Sequence, residues 1–253
     1  MLERIEHEGC IRELRLNRPP VNALNPELVH ALREAVEAAP REGSQALAIS
    51  GSSGIFSAGL DVPALLALDR DRMRAFWSEF FGLCGALARS PIPIAAAITG
   101  HSPAGGAVLA LFCDYRVMAR GAYRIGLNEV QVGLTVPDCI QAGLRRLIGT
   151  YRAERLLVQG AMLDAETALA SGFVDELADV DFVAARAVGW LGEVLKLPRQ
   201  AMLSTRAMAR ADLAALFADP ASLPVEDFLD MWFAPEAQNT LRAMVERLKA
   251  RKQ

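Results

Sequence analysis

The sequence predicts a layered α/β core followed by a helical C-terminal part. Three observations point that way. A strand, a Gly-rich turn and a helix follow one another from about Gln45, and the same order returns from about Pro93. Between Ser90 and Cys113 there is no Asp, Glu, Lys or Arg, which marks a buried segment. Beyond Pro137 the chain is rich in Ala and Leu and is punctuated by Pro198, Pro220, Pro224 and Pro235, the pattern of successive helices.

Each element has its own signal. Ile5 to Leu16 alternates apolar and polar residues around Glu8-Gly9, which predicts an N-terminal hairpin. Asn25-Pro26 supplies an N-cap and a proline at the first helical position, for a helix to about Ala39. Gln45 to Ser50 (QALAIS) reads as a strand and leads into the Gly/Ser turn GSSGIFSAGLD. Pro63 to Arg89 reads as helix in one or two pieces, with Trp77, Phe80, Phe81 and Leu87 toward the core. The uncharged Ser90–Cys113 stretch is long enough to cross a bilayer. Pro103 and its flanking glycines break its middle, so it reads instead as a buried strand from Ile94 to Thr99, a turn of small residues from Gly100 to Gly106, and a buried helix from Ala107 to Cys113. Tyr115 to Ala119 and Tyr123 to Leu127 read as short strands on either side of Arg120-Gly121, and Phe173 to Glu176 as a last one.

Composition removes several function classes. A net charge of −3 offers no electrostatic footprint for nucleic acid. Glu3, Arg4 and Glu6 are too charged for a signal peptide. Cys10, Cys84, Cys113 and Cys139 lie far apart without a CxxC, which suggests reduced thiols and a cytoplasmic setting. His7, His30 and His101 have no metal-ligand spacing, so no metal site is expected. Neither Gly-rich turn carries a P-loop Lys-Ser/Thr, and no GxGxxG occurs. GHSPAGG approaches the GxSxG nucleophile elbow, but Ala104 stands where the second glycine belongs and no histidine follows Ser102.

Three segments remain that can carry chemistry. The turn Ile55 to Asp61 and the turn Gly100 to Gly106 are both small where a ligand could approach backbone. Two such turns on neighbouring strands could aim two N–H groups at one oxygen, an oxyanion hole; they also fit turns that need glycine only for packing. The third segment is Ile125 to Gly133, in which Glu129 is the one charge among Leu127, Val130, Val132 and Leu134. A carboxyl in apolar surroundings titrates high and can serve as a base near neutral pH. A surface glutamate at a strand end is the alternative.

FSAGLD, PAGGAVLALFCDYRVMA and IGLNEVQVGL, in this order, resemble the crotonase (enoyl-CoA hydratase/isomerase) superfamily, as do LNRPPVNALN and AERLLVQGAMLDAETALASGFVDE. The resemblance covers nearly the whole chain. It implies a spiral of ββα units over 1–195 and a helical C-terminal trimerisation region over 196–253. It implies an acyl-CoA thioester as the substrate, no separate cofactor, no membrane partner, and a homotrimer or hexamer. Trp232, Phe233, Leu241, Met244 and Leu248 are the apolar residues expected to serve that assembly. By the same resemblance Ala58 and Gly105 donate to the thioester oxygen. Ser57, Ala58, Gly59, Leu60, Asp61, Val62, Gly106, Val108 and Asn128 lie against the substrate. The basic end of the chain (Arg247, Lys249, Arg251, Lys252) is a candidate for the CoA phosphates, with a solvated helix end as the alternative.

Subtype rests on two positions. Hydratases of the superfamily hold a water between two glutamates. The position three residues after Gly105 is Val108, whereas the second is Glu129. A single glutamate is the pattern of the Δ3,Δ2-enoyl-CoA isomerases, and the strings PAGG, CDYR and IGLNE resemble the mitochondrial-type branch. The expected catalytic residues are therefore Glu129, Ala58 and Gly105. A hydratase, another crotonase-type acyl-CoA enzyme and a non-catalytic acyl-CoA binder are the alternatives, and Glu79 is the acidic residue that could supply a second carboxylate.

Overall fold

A computed structural model describes residues 1–250. An antiparallel hairpin opens the chain, β1 (Leu2–His7) and β2 (Ile11–Leu16). The helix α1 (Pro26–Ala38) follows, with the Asn25 side chain accepting the Leu28 N–H at 3.0 Å. Then come β3 (Ala46–Ser50), β4 (Gly54–Ile55), α2 (Val62–Leu65) and α3 (Arg70–Ala88). The uncharged stretch folds as β5 (Ile94–Ile98), β6 (Gly100–Pro103) and α4 (Gly105–Leu111). The strands β7 (Tyr115–Ala119) and β8 (Arg124–Gly126) precede α5 (Asp138–Ile148) and α6 (Thr150–Gln159). After β9 (Leu163–Asp164), α7 (Ala165–Ser171) and β10 (Glu176–Ala178) the chain is helical: α8 (Val183–Leu195), α9 (Arg199–Ala209), α10 (Ala211–Ala215), α11 (Val225–Trp232) and α12 (Pro235–Ala250).

Two sheets result. The larger runs β1-β2-β3-β5-β7-β10 and is parallel apart from the opening hairpin. The smaller runs β4-β6-β8-β9, with only β8 and β9 antiparallel. The passes β3, β5 and β7 through the larger sheet are each followed by a short strand in the smaller one and then by helix, which makes the ββα spiral. The turn expected from Gly100 to Gly106 thus contains a strand, and only its end leads into α4. Gly100 makes this possible, since a Cβ there would fall 1.9 Å from the Gly54 carbonyl carbon. The last long-sheet strand begins at Glu176, where the expected one ended. Strands of two residues, as in β4 and β9, leave no periodicity to read.

The strand sequences explain the layers. Leu47 and Ile49, with Ile94, Ala96 and Ile98, face the main core under α1, α3 and α4. Their alternates Ala46, Ala48, Ala95 and Ala97 face α8, which packs Val183, Ala187 and Leu191 onto them. Small side chains on that face let α8 approach the backbone closely. No helix among the described residues is long and apolar enough to cross a membrane. The C-terminal helices join the main core rather than standing apart: Trp232 and Leu241 are fully buried within the chain. They are therefore unavailable to a partner subunit, unlike Leu248, which is exposed.

Candidate active site

The first Gly-rich turn is held from two sides. The N–H groups of Phe56 and Ser57 donate to the His101 carbonyl at 3.0 and 3.3 Å, tying the turn to β6. Ser57 is fully buried; its Oγ donates to the Asn22 carbonyl at 2.7 Å and accepts the Gly59 N–H at 3.1 Å. Beyond it, Leu24 donates to Gly59 and Asp61 donates back to Leu24, at 2.8 and 3.0 Å. Ala58 was expected to present its N–H to substrate, but that N–H donates to the Val21 carbonyl at 2.9 Å. Among the described residues, the turn's one backbone N–H without an acceptor is that of Leu60.

The second turn ends at Ala104, which carries a side chain at φ 45°. Backbone of that kind costs about 1–3 kcal/mol for a residue with a Cβ. It is fixed by the Ala104 N–H, which donates to the Gly126 carbonyl at 2.8 Å. The bend starts α4 at Gly105, whose N–H, in the first turn of a helix, has no intrahelical acceptor. The two turns touch backbone to backbone. A Cβ on Gly59 would lie 3.3 Å from the Gly105 nitrogen, and a Cβ on Gly105 would lie 3.5 Å from the Gly59 Cα and 2.9 Å from Leu24 Cδ1. Leu60 and Gly105 also line one common cavity.

Glu129 opens a single 3₁₀ turn, Glu129–Val132, directly after β8. Gly133, at positive φ, ends that turn, and the Gln131 side chain anchors it to the Gly160 carbonyl at 2.8 Å. Glu129 Oε2 is buried and has no hydrogen-bond partner. Burial pushes its carboxyl up from the usual 4.5 to about 7, against the smaller downward pull of its own backbone N–H.

These pieces converge on a narrow cavity lined by Leu60, Trp77, Phe80, Gly105, Val108, Glu129, Leu134, Pro137, Ile140 and Phe228. It offers about 20 Å³ to the centre of a water molecule, and Glu129 is its one ionisable side chain among the described residues. Val108, on α4 one turn after Gly105, is 1% exposed.

Of the residues expected from sequence, Leu60, Gly105, Val108 and Glu129 meet at this cavity. Ser57, Ala58, Gly59, Asp61, Val62, Gly106 and Asn128 do not line it. Asp61 caps α2 through the Ala64 N–H and pairs with Arg18 at 2.6 Å. Gly106 packs against Ser57, where a Cβ would meet the Ser57 carbonyl oxygen at 2.9 Å. Asn128 accepts the Gln131 N–H on its carbonyl. Glu79 cannot supply a second carboxylate there: it faces α1 and holds His30 and Arg33 at 3.0 and 2.8 Å. Arg247 and Lys249 are exposed on α12, and Arg251 and Lys252 lie outside the described residues. The cavity wall was the part not foreseen. Trp77 and Phe80, three apart on α3, read only as core, and Phe228 comes from α11, far along the chain.

Comparison with known proteins fits this geometry. The family model described as enoyl-CoA hydratase/isomerase matches residues 6–251. The human mitochondrial enoyl-CoA delta isomerase 1 is 31% identical over 242 residues, covering 94% of this chain and 80% of that one. A probable enoyl-CoA hydratase of Mycobacterium avium is 34% identical over 208 residues, 82% of this chain and 79% of that one. The crystal structure of human mitochondrial Δ3-Δ2-enoyl-CoA isomerase superposes with a TM-score of 0.94 at 29% identity, over 100% of this chain and 99% of the other. From its two touching turns to its lone buried carboxyl, this chain belongs to the enoyl-CoA hydratase/isomerase family.

Proposed function

We propose that the protein moves the double bond of a 3-enoyl-CoA thioester into the 2-trans position. The observation that carries this reading is the solitary state of Glu129: one carboxyl in an otherwise apolar cavity, with Val108 rather than a second acid on α4. The thioester carbonyl accepts hydrogen bonds from the N–H groups of Leu60 and Gly105. Glu129, ionised at and above about pH 7, takes a proton from C2. The electron pair spreads through the C1–C2 bond onto the thioester oxygen, where the two donors hold the charge. The same carboxyl returns the proton at C4, and the double bond is left between C2 and C3. The thioester itself makes the C2 proton acidic, so the coenzyme A that takes part arrives with the substrate.

Hydration needs a water held and activated at C3. One carboxyl can accept or donate one proton at a time and cannot grip a water from two sides, and the valine keeps that side dry. The second reading, a hydratase, draws its support from the Mycobacterium avium relative. The test is incubation of the purified protein with hex-3-enoyl-CoA and with hex-2-enoyl-CoA, following double-bond shift and water addition separately. Isomerisation well ahead of hydration is expected. Hydration at an equal or greater rate overturns the isomerase reading in favour of the hydratase, and binding without turnover of either substrate leaves a non-catalytic acyl-CoA binder.

A further inference from the structure

Trp77 is 2% exposed, lines the cavity, and its indole N–H has no hydrogen-bond partner among the described residues. Four phenylalanine rings surround the indole. Phe228 lies nearest, with centroids 4.2 Å apart, and Phe76, Phe80 and Phe81 lie at 5.3, 5.6 and 5.8 Å. None of these offers an oxygen. Buried tryptophan N–H groups ordinarily find an acceptor, because an unpaired one forfeits the hydrogen bond that water supplies in the unfolded chain. On the same cavity the backbone donors of Leu60 and Gly105 and the Glu129 carboxyl are spoken for by the thioester and its C2 proton. Trp77 is the remaining polar group, and it belongs to the aromatic cluster that closes the cavity rather than to the two turns.

Resting on the proposed function, we infer that Trp77 is a specificity residue whose N–H receives an oxygen carried on the acyl chain of the substrate. The substrate class is then a short acyl-CoA thioester bearing a hydroxyl or carbonyl oxygen beyond the double bond. A wholly hydrocarbon tail leaves the N–H unpaired in the complex as it is in the free protein, and gains nothing from it. A chain ending in oxygen satisfies the donor and is favoured by the corresponding amount.

The experiment compares hept-3-enoyl-CoA with 6-hydroxyhex-3-enoyl-CoA, in which a hydroxyl replaces the terminal methyl. The pair is repeated one carbon shorter and one carbon longer, so that the oxygen scans the pocket. Wild type is expected to prefer the hydroxylated member at one of these lengths by on the order of tenfold in kcat/KM. Trp77→Phe, which keeps an aromatic ring and removes the donor, is expected to erase that preference while still turning over the hydrocarbon member. A readout independent of catalysis is the indole ¹H–¹⁵N resonance of Trp77, assigned by its loss in Trp77→Phe. It should move downfield with the matching saturated hydroxyacyl-CoA and stay in place with its hydrocarbon isostere. Binding of both thioesters with no preference, no indole shift, or a preference unchanged in Trp77→Phe overturns the inference; the N–H then rests on an aromatic face such as that of Phe80. Failure of every thioester to bind defeats the proposed function instead.

Discussion

Replacing Glu129 by glutamine should raise stability and cut activity sharply, and both effects should depend on pH. The carboxyl is held at about 7 against an ordinary 4.5 because burial disfavours its charged form, with Oε2 left unpartnered. The sign follows from proton binding. Below about pH 4.5 both folded and unfolded chains carry the proton, and the group contributes nothing to the difference. Between 4.5 and 7 the unfolded chain ionises first, so folding is progressively disfavoured, and above 7 the penalty is complete. At about 1.4 kcal/mol per pH unit, the gap between 4.5 and about 7 comes to roughly 3 kcal/mol. Glutamine is neutral at every pH and similar in shape. Thermal melts of wild type and Glu129→Gln should nearly coincide at pH 4.5 and separate by roughly 5–10 °C at pH 8, with the variant the more stable. In parallel, turnover of hex-3-enoyl-CoA by the variant should fall by about 10²–10⁴, the range typical of a lost acid–base catalyst. Wild-type kcat/KM should rise toward a plateau with an apparent pKa near 7, as the carboxylate form accumulates. Equal melting differences at the two pH values would show that the carboxyl is not desolvated, and near-normal turnover would show that the base is elsewhere.

Val108→Glu places a second carboxyl on the same cavity. It should add measurable hydration of hex-2-enoyl-CoA, and lower the melting temperature at pH 8 because a charge is buried; no hydration in a folded variant would remove Val108 as the discriminator. Gly100→Ala should be severely destabilising, since its Cβ would lie 1.9 Å from the Gly54 carbonyl carbon and neither backbone can yield; a melting curve like wild type counts against the two-sheet crossing. Ala104→Gly relieves a positive φ and should raise stability or leave it unchanged, with α4 still starting at residue 105; a loss of more than about 1 kcal/mol would mean the alanine methyl is needed for packing. A trimer or hexamer is expected in light scattering, and a mass of 27.3 kDa at micromolar concentration would refute it.

Much of the fold was written in local signals. Asn25-Pro26 fixes a helix start without help from the rest of the chain, and QALAIS and IAAAI fix strands whose alternation even sorts large from small residues between the two faces. What was not legible depends on non-local partners. The strand β6 exists because Gly100 crosses Gly54 and Ser102 pairs beside Ile125, which no window of sequence contains. The site divides in the same way. Gly105, Val108 and Glu129 announce themselves as small or charged residues in conspicuous runs. The donor in the first turn turned on a hydrogen bond from Ala58 to Val21, in a loop more than thirty residues away, and only that bond moves the free N–H to Leu60.

Several features that break ordinary folding rules lie close together at the site. Among the described residues, Ala104 sits at positive φ, Glu129 has a buried oxygen without a partner, Trp77 has a buried N–H without an acceptor, and Leu60 and Gly105, whose N–H groups have no acceptor, line the cavity. Each lowers stability by an amount that better local sequence could recover, as glycine could at 104 or glutamine at 129. Elsewhere the carboxylates are paired, Glu13 with Ser50 and Arg15 and Asp114 with Arg206 and Arg210, although Ser44 Oγ, Ser102 Oγ, Arg116 Nε and Arg210 Nε are also buried without a partner among the described residues. The fold therefore pairs these two carboxylates where it has only structure to maintain. It leaves donors and an acceptor open around the cavity, where a ligand brings an oxygen to accept and a proton to give. Such a site predicts that ligand binding stabilises the chain more at pH 8 than burial of apolar surface alone accounts for. The pH-dependent share of that extra should vanish in Glu129→Gln, where no carboxylate is left, while the share of the Leu60 and Gly105 donors remains.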